Sequence, residues 1–524
     1  MKPGGSVHGV QPRGAGTEKP AGKRARWSLV LAVSIAFVVV TVSASAAGPG
    51  GWDHLGEFMT PKAAALNGAV YALSTESDNG LLVGGAFNFT TASGRPAAHL
   101  AVWYPTQFWT AYATPSPLNG DVHAIAWDAA HVRLFVGSTF TNAGGNPNAD
   151  FLAVWDGTNW APFCSPAPAF SASVAALQII GSTLYVGGSF ANGAGIPSAD
   201  FLLACDLNTG VARSTSLRDG DINGGVYALT ADANGTLYAG GQFINMVGIP
   251  AADHVASYDG TWHAMGSGTS SGGGAVDDYV RSMASSGTDV YIGTDSVNVA
   301  GIPQADHVAK WNGSAWSALG ANAAGTDGWL PATAFIYAIA AKDSQVVVTG
   351  SFQNAGGNPL ADDIANFDGT AWAPVGSNGA GNGPWIGNGL AVAIVGKDIY
   401  AGGNFTSAGG DPIASYVARF TPQTAPSNAF TLGAVKGNLR NGTATLTVNA
   451  PGPGNVTLSG AAVRHVKVAT PSSPASVKVT VQAAGKAKQT LQRRGRVSVR
   501  VTITFTPTGG SASSRSTTVV LKKA

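Results

Sequence analysis

The sequence predicts an all-β chain, a seven-bladed β-propeller followed by a small β-sandwich, on three observations. A phrase of roughly fifty residues recurs seven times, each copy holds four short strand-like runs, and the last hundred residues contain strictly alternating apolar and polar positions. The position that closes the G-G-x-F element recurs at intervals of 53, 50, 53, 53, 56 and 53 residues. It is occupied by Phe87, Phe140, Phe190, Phe243, Ser296, Phe352 and Phe405. This regularity indicates a modular array.

Each unit reads as four strands in a fixed order. V-x-A-L (70–73) comes first, then L-Y-V-G-G (184–188), then L-A-V-W-D-G (152–157), then W-x-x-L-G (316–320). The runs are too short for helices, are rich in Val, Tyr and Trp, and are separated by Gly, Pro, Asn and Asp. Four antiparallel strands in about forty to fifty residues are typical of one propeller blade.

The two ends of the array predict a closed ring. The last unit stops at 417–420 without its fourth strand, whereas a strand of that type, W-D-H-L-G at 52–56, stands alone before the first unit. If it completes the seventh blade, no strand edge is left unpaired. The alternative, an open solenoid, would carry atypical capping units at both ends.

The repeated G-G doublet and the downstream Trp make the units resemble the kelch-type propellers of the galactose oxidase superfamily, over residues 51–423. They are also similar to the repeats of fungal cortical marker ectodomains. The copper site of galactose oxidase needs paired tyrosines, two histidines and a cysteine joined to one tyrosine. Here both cysteines lie on repeat strands and no His pair occupies the corresponding positions. The resemblance therefore implies the fold, and we expect no cofactor and no metal.

The first 46 residues predict a signal peptide. Lys19, Lys23, Arg24 and Arg26 precede an uncharged apolar stretch at 27–42, and A-S-A at 44–46 suits cleavage. An uncleaved anchor is the alternative, although sixteen residues are fewer than the roughly twenty that span a bilayer. We expect a secreted, extracellular protein, which could also be associated with the cell wall.

Charge divides the chain into two domains. Residues 47–424 carry 10 basic and 27 acidic residues, a net charge of −17, whereas residues 425–524 carry 14 basic residues and no acidic one. We therefore place the propeller at 47–423, a linker at 424–429 and the sandwich at 430–524. The sandwich resembles the basic immunoglobulin-like C-terminal modules of exported actinobacterial proteins.

Six cations of the second domain are expected to cluster near one hairpin: Lys486, Lys488, Arg493, Arg494, Arg496 and Arg500. Such a surface would attract an anionic cell-wall polymer, and nucleic acid is not an expected partner outside the cell. A merely solvated basic face is the alternative. No membrane span is expected after cleavage of the leader.

Two cysteines, Cys164 and Cys205, fall on neighbouring blades. An oxidising compartment permits a disulfide between them, and two buried free thiols are the alternative. Register alone does not decide between the two.

Two recurrent polar positions are interpreted as structural. An Asp before the third strand is expected to bond its own turn; it recurs as Asp150, Asp200, Asp253, Asp306 and Asp362. The next position holds His99, His254 and His307 but also Phe151, Phe201, Asp363 and Tyr416. Such mixed chemistry indicates a packing position rather than a metal site.

The best binding candidates lie on three long loops, 267–279, 321–335 and 377–390, which link one blade to the next. They carry Asp277, Asp278, Asp327, Trp329 and Trp385. Exposed Trp beside carboxylates suits a sugar or a peptide, and Trp residues that plug gaps between blades are the alternative. A second set shares one position on the inner strands and could reach the central channel, or could simply pack between blades. It consists of Tyr71, His123, Tyr227, Arg281 and Tyr337.

No motif of nucleophilic, phosphate-binding or metal-dependent catalysis is present in the sequence. The sequence therefore favours a non-enzymatic binding or scaffold protein that presents its loops to a glycan or protein. An extracellular carbohydrate-active enzyme (a hydrolase, lyase or oxidase) with its site at the propeller mouth is the alternative. A wall-anchored structural protein without a small ligand is a third hypothesis.

Overall fold

The computed structural model describes the chain from residue 50 onward with short gaps. The described residues are 50–55, 64–76, 80–90, 95–104, 109–111, 118–165, 170–268, 273–384, 386–422, 426–470, 475–508 and 510–524. The predicted leader (1–46) and Trp385 lie outside them. Within these ranges, no helix has both the length and the apolar character needed to cross a membrane.

Between residues 50 and 422, the described residues form seven antiparallel sheets of four strands, numbered sheet 1 to sheet 7 in chain order. Their first strands are Val70–Thr75, Val122–Asp128, Val174–Ile180, Val226–Ala231, Val280–Ser286, Phe335–Lys342 and Gly389–Val395. Their second strands are Leu81–Gly85, Arg133–Ser138, Thr183–Gly188, Leu237–Gly241, Asp289–Thr294, Gln345–Ser351 and Asp398–Gly403. Their third strands are Leu100–Trp103, Leu152–Trp155, Leu202–Asp206, Val255–Tyr258, Val308–Trp311, Ile364–Phe367 and Val417–Pro422. Their fourth strands are Trp109–Ala111, Trp160–Pro162, Ala212–Ser214, Trp262–Ala264, Trp316–Ala318, Trp372–Pro374 and, for sheet 7, Gly50–Asp53.

The seven sheets follow one another in a closed cycle. Each first strand contacts the first strands of the neighbouring sheets, and the first strand of sheet 7 contacts that of sheet 1. Gly50–Asp53 pairs antiparallel with Val417–Pro422, with Trp52 opposite Phe420, so the N-terminal strand completes sheet 7. Hydrophobic clusters fill the spaces between neighbouring sheets. The arrangement is all-β and β-propeller-like.

Glycines on the second strands set the spacing between sheets. A methyl group on Gly84 would lie 2.5 Å from Val122 Cγ1 of the next sheet, and one on Gly402 would lie 2.4 Å from Val70 Cγ1 of sheet 1. The same contact recurs at Gly137, Gly187, Gly240 and Gly293. A residue without a side chain is needed here because the neighbouring branched residue fills the space.

In the described part of the chain, a tryptophan of the fourth strand links five of the sheets (1, 4, 5, 6 and 7) to the preceding sheet by a hydrogen bond. Trp316 donates its indole N–H to the carbonyl of Met265 at 2.6 Å, and Trp262 donates to Thr215 at 3.0 Å. The same hydrogen bonds occur on both sides of the completed sheet 7. The indole N–H of Trp52 donates to the carbonyl of Val375 at 3.1 Å, and that of Trp109 donates to the carbonyl of Leu55 at 2.8 Å. A buried indole N–H needs such a partner.

The loops after the second strands share one turn. In five sheets an Asn with φ near +50° precedes a short 3-10 turn; the turns are Ala143–Gly145, Gly193–Gly195, Met246–Gly248, Val299–Gly301 and Ala355–Gly357. The N–H of each Asn donates to the recurrent Asp eight residues later, as from Asn245 to Asp253 at 2.7 Å. The prediction that this Asp is structural is confirmed. In sheet 1 the corresponding loop holds a small ribbon, Phe89–Thr90 with Arg95–Pro96.

The C-terminal region forms two further antiparallel sheets. One orders Thr431–Asn438, Thr443–Ala450 and Ala475–Gln482, and the other orders Val466–Thr470, Gly454–Ser459, Arg496–Pro507 and Ser513–Lys522. Both sheets contribute to one hydrophobic core, in which Phe430 and Phe505 are fully buried.

One expectation for this region is wrong. Lys486, Lys488, Arg493 and Arg494 lie on an α-helix, Gly485–Arg494, and not near a hairpin turn. The segment is rich in good helix formers, and Gly495, at φ +65°, ends the helix by donating its N–H to the carbonyl of Leu491. Arg496 and Arg500 lie on the strand that follows.

Candidate functional site

Topology places two kinds of loop at the same end of the ring. Because the strands of each sheet alternate in direction, the loops after the second strands and the loops that join successive sheets lie at one end, which we call the loop face. The hairpins between first and second strands and between third and fourth strands lie at the other end. The three long loops selected from the sequence all belong to the loop face.

Two of the candidate carboxylates open sheet 5. Asp277 and Asp278 are exposed, and their backbone N–H groups donate to the hydroxyl of Ser296 at 2.9 and 2.7 Å. Ser296 occupies the slot that holds Phe in the other sheets, and its hydroxyl fixes the entry of the chain into the first strand. The Asp278 carboxylate accepts the N–H of Tyr279 at 2.8 Å.

Asp327 belongs to a pair of carboxyl groups. Gly328 donates its N–H both to Asp327, at 3.1 Å, and to the buried recurrent Asp306, at 3.2 Å. Burial raises the pKa of Asp306, and the neighbouring carboxyl of Asp327 raises it further. Asp327 itself is exposed.

Trp329 lies in a packing environment. Its ring stacks on Trp372 of sheet 6, with centroids 5.1 Å apart and planes 12° apart, and the side chain is half-buried. A methyl group on Gly356 would lie 2.2 Å from its Nε1 atom. Trp385, the other tryptophan selected from the sequence, lies outside the described residues. Trp329 thus packs against Trp372 and over the 3-10 turn of sheet 6.

The channel candidates share a backbone irregularity. Every first strand carries a β-bulge after its first or second residue. The bulged positions are Tyr71, His123, Ala175, Tyr227, Arg281, Tyr337 and Leu390. A bulge re-aims a side chain, and all of these except Tyr337 line an open channel of about 240 Å³ at the ring centre.

The ring of bulged residues is internally paired. Tyr71 and His123 meet edge to face at 4.6 Å, and burial lowers the pKa of His123. Arg281 makes two hydrogen bonds to Asp295, at 2.7 and 2.5 Å, and these raise the pKa of its guanidinium. The charges of Tyr337 and Asp278 raise it further.

The tyrosines of this ring are also engaged. Tyr227 donates its hydroxyl to Gln242 at 2.8 Å, and Gln242 in turn donates to the hydroxyl of Tyr279 at 2.5 Å. Burial raises the pKa of Tyr71. The channel mouth is therefore a packed network with one arginine that a carboxylate already neutralises.

A larger opening lies on the loop face between sheets 6 and 7. This open cavity has a volume of about 620 Å³ and is lined mainly by polar groups. Its amide side chains are those of Gln353, Asn354, Asn382, Asn388 and Asn404. Its carboxyl groups are those of Asp362 and Asp363, and no Lys, Arg or His is among the described residues that line it. Loop 377–390 contributes Asn382, Gly387 and Asn388.

The cavity lies where sheet 6 lacks a recurrent aromatic ring. The position after the recurrent Asp holds a ring in the other six sheets, as His99, Phe151, Phe201, His254, His307 and Tyr416. In sheet 4, His254 packs against Tyr279 of the next sheet, with ring centroids 5.9 Å apart. In sheet 6 the two equivalent residues are Asp363 and Asn388, which leave the corresponding space open. All seven residues of this position have φ between 60° and 67°, so the backbone course is unchanged.

Asp362 and Asp363 differ in their partners. Asp362 accepts the N–H of Asn354 at 2.8 Å and that of Gly383 at 3.2 Å. The Asp363 carboxyl makes no hydrogen bond or ion pair within the described part of the chain. Burial, together with the charge of Asp362, raises the pKa of Asp363 to about 6.

Sequence reasoning placed Asp363 in a packing position and missed this cavity. The available signal was that Asp363 is the one residue without a ring among seven equivalent positions. A second signal was Gly389, which stands where five of the other first strands have Val and one has Ile.

Two further predictions concern cysteine and metal. A disulfide joins Cys164 and Cys205, with Cα atoms 5.5 Å apart, and ties sheet 2 to sheet 3. Among the described residues, no group of three or more His, Cys, Asp or Glu could hold a metal ion.

In comparisons with known proteins, no family model and no curated protein matches the chain. One similar solved structure is the extracellular domain of a protein described as a one component system from B. thetaiotaomicron, with 9% identity and a TM-score of 0.18 over 87% of this chain and 81% of that one. Another is CoXyl43, a GH43 β-xylosidase/α-arabinofuranosidase from a compost microbial metagenome, with 8% identity and a TM-score of 0.23 over 73% of this chain and 97% of that one. Likenesses this weak carry no argument about what the chain does.

Proposed function

We propose that the chain is a secreted or cell-wall-associated binding protein whose seven-bladed, kelch-like propeller holds a carbohydrate in the cavity between sheets 6 and 7. The cavity is the observation that carries the proposal. Its volume of about 620 Å³ falls in the range of small-molecule sites, about 300–1,000 Å³. Secretion rests on the predicted signal peptide at 1–46.

The chemistry of the lining favours a polyhydroxylated ligand. Five amide side chains supply both donors and acceptors, which is what a sugar hydroxyl needs on each side. A hydrophobic ligand would leave those amides unpaired, at a cost of about 1–3 kcal/mol for each buried group. An anionic ligand would meet Asp362 and Asp363, and no cation among the described lining residues would offset their charge. Neutral or cationic sugars remain.

Restoring the missing ring tests this function. Asp363→Tyr places in sheet 6 the side chain that Tyr416 supplies in sheet 7, at φ 67° against 62°. A glycan array of the protein identifies an oligosaccharide, and titration calorimetry then compares the two forms. We expect the substituted protein to melt normally and to bind at least about tenfold more weakly, since the ring fills the cavity. Unchanged affinity with normal melting would contradict the assignment.

A carbohydrate-active enzyme remains the alternative, and Asp363 is the observation that favours it. A carboxyl whose pKa is about 6 can serve as a general acid near neutral pH. If the protein released reducing ends from the bound oligosaccharide, and if Asp363→Asn abolished this release, the assigned function would change from binding to hydrolysis. We propose binding without turnover because the other carboxylate, Asp362, is already occupied by two backbone N–H groups.

The basic C-terminal domain is proposed to be immunoglobulin-like and to bind an anionic cell-wall polymer. Its cations at Lys486, Lys488, Arg493, Arg494, Arg496 and Arg500 are all exposed. No acidic residue occurs in residues 425–524 to neutralise them. A polyanion could therefore approach without displacing an internal salt bridge. Under the third hypothesis, a purely structural wall protein, the basic domain would still bind the polymer but the cavity would hold no ligand.

A further inference from the structure

In the cavity between sheets 6 and 7, the carboxyl group of Asp363 has no charged partner among the described residues. Several other carboxylates in the ring have partners of one of two kinds. Asp128 and Asp295 pair with Arg133 and Arg281, at 2.9 and 2.5 Å, and Asp53 pairs with Arg419. The recurrent Asp200, Asp306 and Asp362 each accept two backbone N–H groups. Asp363 has neither kind of partner among the described residues.

An ionised carboxylate that is half removed from water is unfavourable unless a cation or several donors approach it. Since no Lys, Arg or His among the described residues lines the cavity, such a cation has to come from outside the described lining. The cavity is also much larger than one ion needs, and no group of three acidic or His/Cys side chains is placed around one within the described ranges. These observations favour an organic cation of sugar size over an inorganic ion.

We propose that the cavity binds a sugar that carries a primary ammonium group, an amino sugar without its N-acetyl substituent, with Asp363 as the ionic partner and the surrounding amides bound to hydroxyls. The proposal rests on the carbohydrate-binding function proposed for the same cavity. The charge of the surrounding region agrees with it, because residues 47–424 carry a net charge of −17 and would draw in cations.

The titration of Asp363 gives the proposal a pH signature. Its pKa of about 6 means that the carboxylate is ionised at pH 7 and largely protonated at pH 5. Asp362 is the one other titratable side chain among the described residues that line the cavity. Affinity for an amino sugar should therefore be bell-shaped in pH. Protonation of Asp363 limits it on the acid side, and loss of the ligand's own proton limits it on the alkaline side.

Calorimetric titration of the full protein with two trisaccharides tests the proposal. One is a glucosamine trisaccharide with free amines, and the other is its fully N-acetylated counterpart. Asp363→Asn keeps the shape of the side chain and removes its charge. Asp343→Asn is the matched control, because Asp343 is exposed, also has positive φ, and lies on the opposite end of sheet 6.

At pH 7 we expect the free-amine sugar to bind about tenfold more tightly than the acetylated one, the scale of one charge-assisted hydrogen bond. Asp363→Asn should abolish that preference and the acid limb of the pH profile, whereas Asp343→Asn should keep both. Equal binding of the two sugars, or a preference that survives in Asp363→Asn, would overturn the amino-sugar assignment and leave carbohydrate binding intact. Failure of both sugars, and of every glycan on the array, would remove the proposed function itself.

Discussion

Thr349 and Gly389 reverse the size rule that the other inter-sheet contacts obey. Elsewhere a Gly on the second strand faces a Val or Ile on the next first strand, as Gly240 faces Val280. Between sheets 6 and 7 the larger residue is on the second strand, since a methyl group on Gly389 would lie 1.9 Å from the Thr349 hydroxyl oxygen. Thr349 is fully buried and donates to the carbonyl of Asp363 at 2.9 Å. The exchange therefore keeps the contact volume while it supports the residue that faces the cavity.

Placing at position 389 the Val that most other sheets have, while Thr349 is kept, should destabilise the protein. Gly389→Val should lower the free energy of unfolding by about 1–3 kcal/mol, because the added side chain overlaps Thr349. In a Thr349→Gly background the same change should cost at least about 1 kcal/mol less, since the pair then matches the other sheets. Chemical denaturation of the four proteins measures the coupling. Gly51→Val, where an added methyl group meets no atom within 4 Å, is the control. Additive costs would contradict a direct contact.

The charge of Asp363 should appear in the pH dependence of stability. Its pKa in the folded protein, about 6, lies above the ordinary value of 3.8. The folded state therefore holds this proton more tightly, so the contribution of Asp363 to the free energy of unfolding is highest below about pH 4, falls as the pH rises to about 6, and is flat above. After allowance for solvent screening of a half-buried group, the loss is about 1 kcal/mol. Asp363→Asn should gain that amount relative to the native chain between pH 4 and pH 7.5. A constant difference across this range would contradict the burial of the charge.

At the scale of elements, the N-terminal strand closes the ring in two ways. Gly50–Asp53 supplies the fourth strand of sheet 7, and its Trp52 clips that sheet to sheet 6 through the carbonyl of Val375. Two residues after the strand, Leu55 accepts the indole N–H of Trp109 from sheet 1. Four residues thus link the ends of an array of about 370 residues.

Removing this strand should open the ring. A chain that begins at His54 loses the strand and exposes the edge of Val417–Pro422, whereas a chain that begins at Gly48 retains it. We expect the shorter chain to melt at a clearly lower temperature and to form oligomers, because an unpaired edge strand recruits another chain. Calorimetry and light scattering on the two proteins measure both effects. Equal melting and a monomeric state in both would show that closure does not depend on the strand.

Sequence periodicity predicted the strands of the ring and the orphan strand at its start, because each repeat carries the same turn residues and the same apolar alternation. The helix Gly485–Arg494 escaped prediction because alternating runs flank it on both sides and its own cations obscured the helical pattern. The cavity escaped for a different reason. Asp363 lines the cavity together with Asn388, which precedes Gly389 in the next sheet. A neighbourhood between sheets of this kind is visible only once the repeats are assembled.

At the scale of the whole molecule, two parts of the sequence carry opposite charge. Residues 47–424 have a net charge of −17 and residues 425–524 one of +14. Ligand capture by the ring and attachment by the basic domain would therefore respond differently to salt. Binding of the proposed amino sugar in a partly enclosed cavity would be screened less than contacts between exposed charges.

Salt should release the protein from cell walls. We expect the full chain to bind purified anionic wall polymer at about 0.05 M salt and to dissociate largely by about 0.5 M, since exposed charge pairs are screened beyond the Debye length. Replacing Lys486, Lys488, Arg493 and Arg494 with Gln should weaken binding at low salt without changing the melting temperature, because all four side chains are exposed. Co-sedimentation with walls measures both. Binding that is indifferent to salt or to these four changes would contradict an electrostatic attachment.

The pairing of Gly50 with Pro422 also fixes how the ring would be displayed. Both residues lie at the end of sheet 7 that carries the hairpins, opposite the loop face. The chain thus enters and leaves the ring side by side, at its underside. An attachment through the segment before Gly50 and one through the segment after Pro422 would therefore meet the ring at the same end of sheet 7. If the chain is attached to a surface in either way, the cavity would face away from that surface and toward diffusing ligands.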